Sequence, residues 1–383
     1  MKLNRRKPSL RTLTCITAAV LPVLVHGQVH ISAQPENSVP ALSTELHKQG
    51  HHAVSAQTAR QLQIAENARV QLKNPADLDR AAYNRAMAGL IADRKDGIAY
   101  AEKVMNETPN PAYNQRIGYE LAHYYFKKDK YAEAIKYYEM VGIHNLDNDE
   151  TGDQKFELAY CYFNNKQFDK AKPLFAAIKS IKDNKYYMAG NYYYGLLCYN
   201  ENKYDEALSA FDVVKNDRDY RAVVPYYIAE IYYFEGDKAR ALAMADTLIN
   251  KKEKSFYDNE LHLLAAQCHF EAQKYAEAKP YFDYYYEHAD KIRKEDLYEI
   301  AYCHYRLDNW KSAIVKFRML SDTRDSMGQT SMYLLGDCYL KTGDRASARN
   351  AFGICADMNF NKSLQEAAMI LYGRLSYETV NID

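Results

Sequence analysis

The most regular feature of the chain is a small residue followed twelve positions later by alanine, with a bulky residue four positions after that alanine. The small pairs are Ala122/Ala134, Ala159/Ala171, Gly195/Ala207, Ala229/Ala241, Ala266/Ala278, Ala301/Ala313 and Gly336/Ala348. The bulky residues are Tyr138, Phe175, Phe211, Phe282, Phe317 and Phe352, and the fourth copy has Ala245 at this place. Two helices joined by a tight turn approach closely only where both carry small side chains. The pattern therefore predicts seven helical hairpins.

The spacing of the copies predicts how the hairpins are arranged. The first small residues follow one another at intervals of 34 to 37 residues, and short polar turns such as "KKDK" and "KTGD" separate the two members of a pair. One hairpin cannot bury its apolar face alone, so neighbouring hairpins should stack side by side. Glycine and proline are scarce, with 15 and 10 copies among 383 residues, as expected for helices with short connections. The fold class predicted is an all-α solenoid.

These residues resemble a known family. The spacing small–x2–Tyr–x8–Ala–x3–Phe/Tyr, with a period near 34, is similar to the tetratricopeptide repeat. The resemblance implies a right-handed α-solenoid whose first helices line a concave face, with seven repeats over residues 112–365. The junction "ETPNPAYNQRIGYELAHYYF" and the tyrosine-rich repeats also look like exported tetratricopeptide proteins of Bacteroidetes. Such proteins are often much longer, which leaves the alternative that this chain is a fragment of a longer tetratricopeptide protein.

Segments outside the seven repeats have weaker patterns. Residues 76–111 are interpreted as a degenerate leading hairpin, and residues 28–75 as a disordered linker with a short helix at 55–73. Residues 366–383 are interpreted as an incomplete eighth repeat or a capping helix. The sequence alone leaves these two alternatives open.

Residues 1–27 are typical of a secretory signal peptide. A basic start precedes the apolar run "LTCITAAVLPVLV", and small residues place a cleavage site after Gly27, with a second candidate after Ala33. The apolar run is short for a membrane span, although a retained anchor is the alternative to cleavage. No later segment is apolar enough to cross a membrane. We therefore expect an exported protein that is periplasmic or associated with the outer membrane, or else secreted.

The 36 tyrosines suggest a binding surface. If the first small residue of each repeat is position 8, then positions 5, 9 and 12 form one helical stripe, which the resemblance places on the concave face. The candidate groove residues are Tyr119, Phe156, Tyr160, Tyr192, Tyr226, Tyr298, Tyr302 and Tyr333. Rigid aromatic rings suit a protein or peptide partner, and they would also suit a glycan. The alternative is that these rings pack against one another and only fill the interior.

Charge and motifs narrow the function classes. The chain has 50 basic and 50 acidic residues, which argues against nucleic acid or an anionic membrane as the main partner. It lacks the glycine-rich nucleotide-binding motifs, the nucleophile elbow and the HExxH motif, and no segment is left over for a catalytic domain. The lysine at position 5 and asparagine at position 9 of the peptide-carboxylate clamp are also absent. We expect a non-enzymatic scaffold with no catalytic residues, no cofactor and no metal.

The cysteines recur at one position of the repeat. Cys161, Cys268, Cys303 and Cys338 all occupy position 10, where successive first helices would be about 8–10 Å apart. A disulfide requires Cα atoms closer than about 7 Å, so buried free thiols are predicted. The adjacent Cys–His pairs lack zinc-ligand spacing, and we interpret the histidines as core residues.

The acidic segment "DNDETGDQKFEL", residues 147–158, is similar to a calcium-binding loop. Its last position is Leu158, where such a loop requires glutamate, and Glu157 is one residue early. A solvated loop between repeats is the structure predicted here.

Overall fold

The computed structural model describes residues 74–93, 95–142, 148–251 and 255–380, without the side chains of residues 95, 379 and 380. The proposed signal peptide, residues 28–73 of the linker and the short helix at 55–73 lie outside these ranges, and the last linker residue, Pro75, already belongs to the first described helix. Within them the secondary structure is entirely helical, with seventeen α-helices. None of these described helices has the length and apolar character that a membrane span requires. The prediction of an all-α fold is confirmed.

The helices alternate between first and second members of successive hairpins. A leading pair is formed by α1 (Pro75–Ile91) and α2 (Lys95–Glu107). The first helices of the seven repeats are α3 (Pro111–Lys127), α5 (Asn148–Asn164), α7 (Tyr187–Asn200), α9 (Val224–Phe234), α11 (Asp258–Glu271), α13 (Lys294–Arg306) and α15 (Ser326–Lys341). The second helices are α4 (Tyr131–Val141), α6 (Phe168–Ile178), α8 (Tyr204–Val214), α10 (Lys238–Ile249), α12 (Tyr275–His288), α14 (Trp310–Arg318) and α16 (Arg345–Ala356), and α17 (Lys362–Val380) follows.

Two compact units divide the chain between Cys268 and His269. The described part of the N-terminal unit contains α1 to α10 and most of α11. The described part of the C-terminal unit contains the last residues of α11 and all of α12 to α17.

Small residues bring the two helices of a hairpin together. Every alanine of the seven predicted pairs is fully buried, with 0% of its surface exposed, and the bulky residue that follows is at most 1% exposed. Within the N-terminal unit, a methyl group on Gly195 would lie 2.6 Å from the Phe211 ring. Within the C-terminal unit, one on Gly336 would lie 2.7 Å from the Phe352 ring. The aromatic ring of the second helix therefore rests directly on the small residue of the first, as the sequence pattern predicts.

A left-handed residue reverses the chain in each hairpin. It lies seven residues after position 8, with φ between 52° and 85°: Asp93, Asp129, Lys166, Asn202, Gly236, Gln273, Asp308 and Gly343. The leading hairpin follows the same rule, because Asp93 comes seven residues after the fully buried Ala86. Only two of the eight positions hold glycine, the residue that adopts this conformation at no steric cost.

The acidic segment at 147–158 is not the loop that the sequence predicted. Helix α5 begins at Asn148, so residues 148–158 of the segment form the first three turns of a first helix. Asp149 and Glu150 lie in its first turn, where negative charge is favourable near the helix N-terminus. Glu157, which would have been close to the ligand position of a calcium loop, is completely buried in the hairpin stack.

The six cysteines in the described ranges are free and buried, as predicted: Cys161, Cys198, Cys268, Cys303, Cys338 and Cys355. Burial raises the pKa of the Cys303, Cys338 and Cys355 thiols, in each case to about 12. These thiols are therefore protonated at neutral pH, which suits packing groups rather than nucleophiles.

Candidate functional site

Most of the predicted groove aromatics are buried. In the N-terminal unit the exposed fractions are 6% for Tyr119, 0% for Phe156, 8% for Tyr160, 2% for Tyr192 and 2% for Tyr226. In the C-terminal unit they are 7% for Tyr298 and 4% for Tyr302, and Tyr333 is half-buried against the Phe352 ring. These rings therefore pack mainly against other parts of the chain. That these residues contact a partner stays a prediction.

Much of the burial of the position-5 rings comes from tyrosines that lie just before the first helix of the following repeat. We call Tyr186, Tyr220 and Tyr257 the connector tyrosines. Each stacks on the position-5 ring of the preceding repeat: Tyr186 on Phe156 with centroids 4.1 Å apart, Tyr220 on Tyr192 at 4.6 Å, and Tyr257 on Tyr226 at 4.5 Å. The interplanar angles are 10°, 28° and 29°. One face of each position-5 ring is therefore taken up within the chain.

The connector tyrosines follow a rule that the sequence analysis missed. Each lies nine residues before position 8 of the following repeat, as Tyr220 does before Ala229. Tyr113 occupies the equivalent place before Ala122, and it stacks on Tyr83 with centroids 4.4 Å apart. The recurrence was visible in the sequence, but the contact joins residues about 30 positions apart and depends on how the hairpins stack.

A buried carboxylate organises the first two repeats. Glu157 is fully buried, and its carboxylate lies 2.7 Å from His123 Nδ1. It accepts a hydrogen bond of 3.0 Å from the Tyr186 hydroxyl and a short one from the Tyr138 hydroxyl. Burial alone would raise the pKa of Glu157, but His123 and the two hydroxyl donors outweigh it and hold the pKa below its ordinary value. The carboxylate therefore remains charged and fixes a histidine and two tyrosines around it.

A second buried carboxylate has the same role in the third and fourth repeats. Glu230 is fully buried and accepts hydrogen bonds from the Tyr199 hydroxyl at 2.6 Å and from the Tyr226 hydroxyl at 2.9 Å. Burial and the nearby Glu230 raise the pKa of both phenols far above their usual range. Both hydroxyls therefore remain donors, and the stacked rings are held in a fixed orientation.

Charged groups of the N-terminal unit lie near these aromatic side chains and are partly accessible. Arg116 donates to Glu150 at 2.6 Å, which joins two successive first helices, and their side chains are 29% and 26% exposed. Lys185 lies 2.6 Å from Asp153, with exposures of 55% and 18%. We call these four residues together with His123 the charged patch. Lys185 Nζ lies 4.9 Å from the centre of the Tyr186 ring, so the patch places groups of both signs beside the aromatic side chains around Glu157.

The C-terminal unit also has an accessible charged group next to aromatic rings, the side chain of Arg306. The guanidinium of Arg306 lies 4.6 Å from the centre of the Tyr275 ring, and its Nη1 is 3.2 Å from the hydroxyl oxygens of Tyr275 and Tyr302. Next to it, the Tyr305 hydroxyl donates to Asp337 at 2.8 Å. Arg306 is exposed, so a guanidinium held in place by aromatic rings faces solvent.

Two comparisons by sequence identify the repeats. A family model described as "Tetratricopeptide repeat" matches residues 330–357, and a second model with the same description matches residues 116–139. The chain carries tetratricopeptide repeats. No curated protein matches the sequence. The fold of tetratricopeptide repeats is consistent with a scaffold for protein–protein interactions, and such domains bind protein partners.

One solved structure supports the same fold. The C-terminal part of a tetratricopeptide protein from Cytophaga hutchinsonii is 16% identical to this chain, with a TM-score of 0.51. The match covers 65% of this chain and 98% of that one. A tetratricopeptide protein from Parabacteroides merdae is 13% identical, with a TM-score of 0.43, over 67% of this chain and 98% of its own. The similarity to the first structure places the tetratricopeptide hairpins in an α-solenoid fold.

Proposed function

We propose that this chain is an exported tetratricopeptide scaffold of the cell envelope that binds an extended segment of a partner protein along its first helices. The main observation in support of this proposal is the charged patch, which lies beside the aromatic rings that are hydrogen-bonded to Glu157. The rings are buried and are fixed by hydrogen bonds to Glu157, and the side chains of Arg116 and Lys185 near them are 29% and 55% exposed. A surface that is ordered before binding loses little conformational entropy when a partner arrives.

The chemistry of the surface favours a peptide over a glycan. A sugar stacks on a free aromatic face, whereas the connector tyrosines already occupy one face of Phe156, Tyr192 and Tyr226. A peptide can instead pair its charged side chains with Arg116 and Asp153. In the C-terminal unit, Arg306 offers its guanidinium to a carboxylate. Glycan binding remains the second hypothesis, and the experiment below separates the two.

The charged patch provides a direct test. We expect Arg116→Ala with Lys185→Ala to reduce partner capture from envelope extract, measured by affinity purification and quantitative mass spectrometry. A matched control is Lys136→Ala with Arg240→Ala, which removes two exposed cations from second helices. Equal capture by both double variants would refute the role of the patch. Binding of the wild-type protein on a glycan array, lost in the patch variant, would favour the glycan hypothesis.

Export is tested separately at the N-terminus. We propose that residues 1–27 are removed, so the protein recovered from the periplasm should begin at Gln28. Mass spectrometry of the N-terminal peptide measures this directly. A product in the membrane fraction that retains the apolar run would indicate an anchor, and a full-length product in the cytosol would contradict export.

A further inference from the structure

The last described helix, α17, exposes an apolar stripe. Met369 is 50% exposed, Ile370 71% and Tyr377 73%. The opposite side of the same helix is buried, with exposures of 3% for Leu364, 0% for Ala368 and 4% for Leu375. The helix is therefore packed on one side and presents a second apolar side to solvent, which is unusual for a helix of a folded unit.

The register of the repeats shows what this stripe corresponds to. Gly373 lies 37 residues after Gly336, a step that also separates other copies of position 8. Ile370 and Tyr377 then occupy positions 5 and 12. Gly373 thus occupies the position at which, in the other repeats, the second helix packs on the first helix.

The other position-8 glycines show how such a site is filled. A methyl group on Gly195 would lie 2.6 Å from the Phe211 ring, and one on Gly336 would lie 2.7 Å from the Phe352 ring. A methyl group on Gly373 would meet no atom within 4 Å. Gly373, Ile370 and Tyr377 therefore form an open surface, which we call the receiving surface. An aromatic ring from a neighbouring helix would fit on it as Phe352 fits on Gly336.

We propose that the exposed stripe of α17 is a docking site for an amphipathic helix of a partner protein. The partner helix carries a small residue followed four positions later by an aromatic residue, like the second helices of this chain. The stripe continues the packing between first and second helices that recurs throughout both units. Among the described residues, the second helices of a second folded copy have no free ring of this type to offer, because Tyr138, Phe175, Phe211, Phe282, Phe317 and Phe352 are all at most 1% exposed. The docked ring rests on Gly373 between Ile370 and Tyr377.

A helical peptide tests the site directly. The probe copies residues 203–215, the second helix of the third repeat, which contains Ala207 and Phe211. A lactam between Asp205 and Ser209→Lys, both on the exposed side, keeps the peptide helical, and circular dichroism confirms this. We expect fluorescence anisotropy to show saturable binding to the full chain. The same peptide with Phe211→Ala should bind at least about tenfold more weakly, since the ring provides the main contact.

Two protein variants place the binding on α17. Gly373→Leu fills the receiving surface at an exposed helical position, where leucine is a better helix former than glycine, so this variant should fold and lose peptide binding at least about tenfold. Asn350→Leu adds the same side chain at an exposed position of α16 and should bind normally. No binding to the wild-type chain, or equal binding of the Phe211→Ala peptide, overturns the proposal. So does a concentration-dependent dimer, seen by light scattering, that Gly373→Leu abolishes.

Discussion

At the scale of single residues, the abundance of tyrosine has a physical reason. A phenylalanine ring would fill the same space, but only tyrosine can also donate a hydrogen bond to a buried carboxylate. Tyr138 and Tyr186 do so for Glu157, and Tyr226 does so for Glu230. Each buried charge is satisfied, which is the condition for tolerating it in the interior.

The first prediction concerns Glu157. The substitution Glu157→Gln keeps the shape of the side chain but removes the charge that His123 and two tyrosine hydroxyls surround. We expect the free energy of unfolding to fall by about 2–4 kcal/mol, because a buried charged network loses one partner. Urea denaturation followed by circular dichroism measures the change.

The control for this prediction is Glu139→Gln. Glu139 also accepts hydrogen bonds, from Tyr162 at 2.5 Å and from Lys170 at 3.0 Å, but its side chain is 45% exposed. Water can replace these bonds, so we expect a loss of less than about 1 kcal/mol. Equal losses for the two variants would contradict the special role of the buried carboxylate.

The second prediction concerns pH. Burial and the nearby Lys316 and Lys279 lower the pKa of His304 to about 4, and they outweigh the opposing effect of Asp283, which lies 3.1 Å from its Nε2. The unfolded chain takes up this proton near pH 6.5, before the folded protein does. The contribution of His304 to stability is therefore complete above about pH 6.5 and is lost as the pH falls towards 4.

The variant His304→Gln isolates this contribution, because glutamine does not titrate. We expect the difference in unfolding free energy between the wild type and the variant to change by about 2–3 kcal/mol between pH 7 and pH 4. Urea midpoints for both proteins across this range measure it. A constant difference would show that His304 does not titrate between the folded and unfolded states.

The positions of the aromatic stripe could be predicted from the sequence, but their exposure could not. Helical spacing is local, so it placed Tyr192 and Tyr226 on one side of their helices. Exposure depends on Tyr220 and Tyr257, which arrive from about 30 residues further along the chain. The sequence offered two alternatives for these rings, a binding groove or mutual packing, and local periodicity cannot distinguish between them.

At the scale of helices and turns, the sequence was most informative where one residue type has one physical use. Alanine at the helix crossings located the hairpins, because close approach excludes larger side chains. The start of α5 was missed because an acidic segment is typical both of a loop and of the first turn of a helix. Only the packing of Phe156 and Glu157 into the stack favours the helix.

The third prediction concerns the hairpin turns. Lys166 and Gln273 both have φ of 58°, a conformation that is strained for residues with a side chain. We expect Lys166→Gly and Gln273→Gly each to raise the free energy of unfolding by about 0.5–1 kcal/mol. Glycine within a helix has the opposite effect, so Ala243→Gly, at an exposed position in α10, should lower it by about 1 kcal/mol. Thermal and urea unfolding measure all three, and destabilisation by the turn variants would contradict the argument.

At the scale of the whole molecule, we expect each of the two compact units to unfold cooperatively, with its own free energy of unfolding. In an array of repeats each hairpin is stabilised mainly by its neighbours, so adjacent hairpins unfold together. The buried cysteines report on this directly. Cys161, Cys198 and Cys268 belong to the N-terminal unit, and Cys303, Cys338 and Cys355 belong to the C-terminal unit.

The fourth prediction follows from this distribution. We expect pulse labelling with N-ethylmaleimide in increasing urea, followed by peptide mass spectrometry, to show that the three thiols of one unit become reactive at a common midpoint. Without urea all six should react slowly, because they are buried and protonated.

The variant Glu157→Gln then tests whether the units respond separately. It should lower the midpoint of Cys161 and its two companions in the N-terminal unit, while the thiols of the C-terminal unit keep theirs. A shift of all six midpoints by the same amount would show one cooperative unit instead. Three different midpoints within the N-terminal unit would show that single hairpins unfold independently, since coupling between neighbours would then be too weak to hold them together.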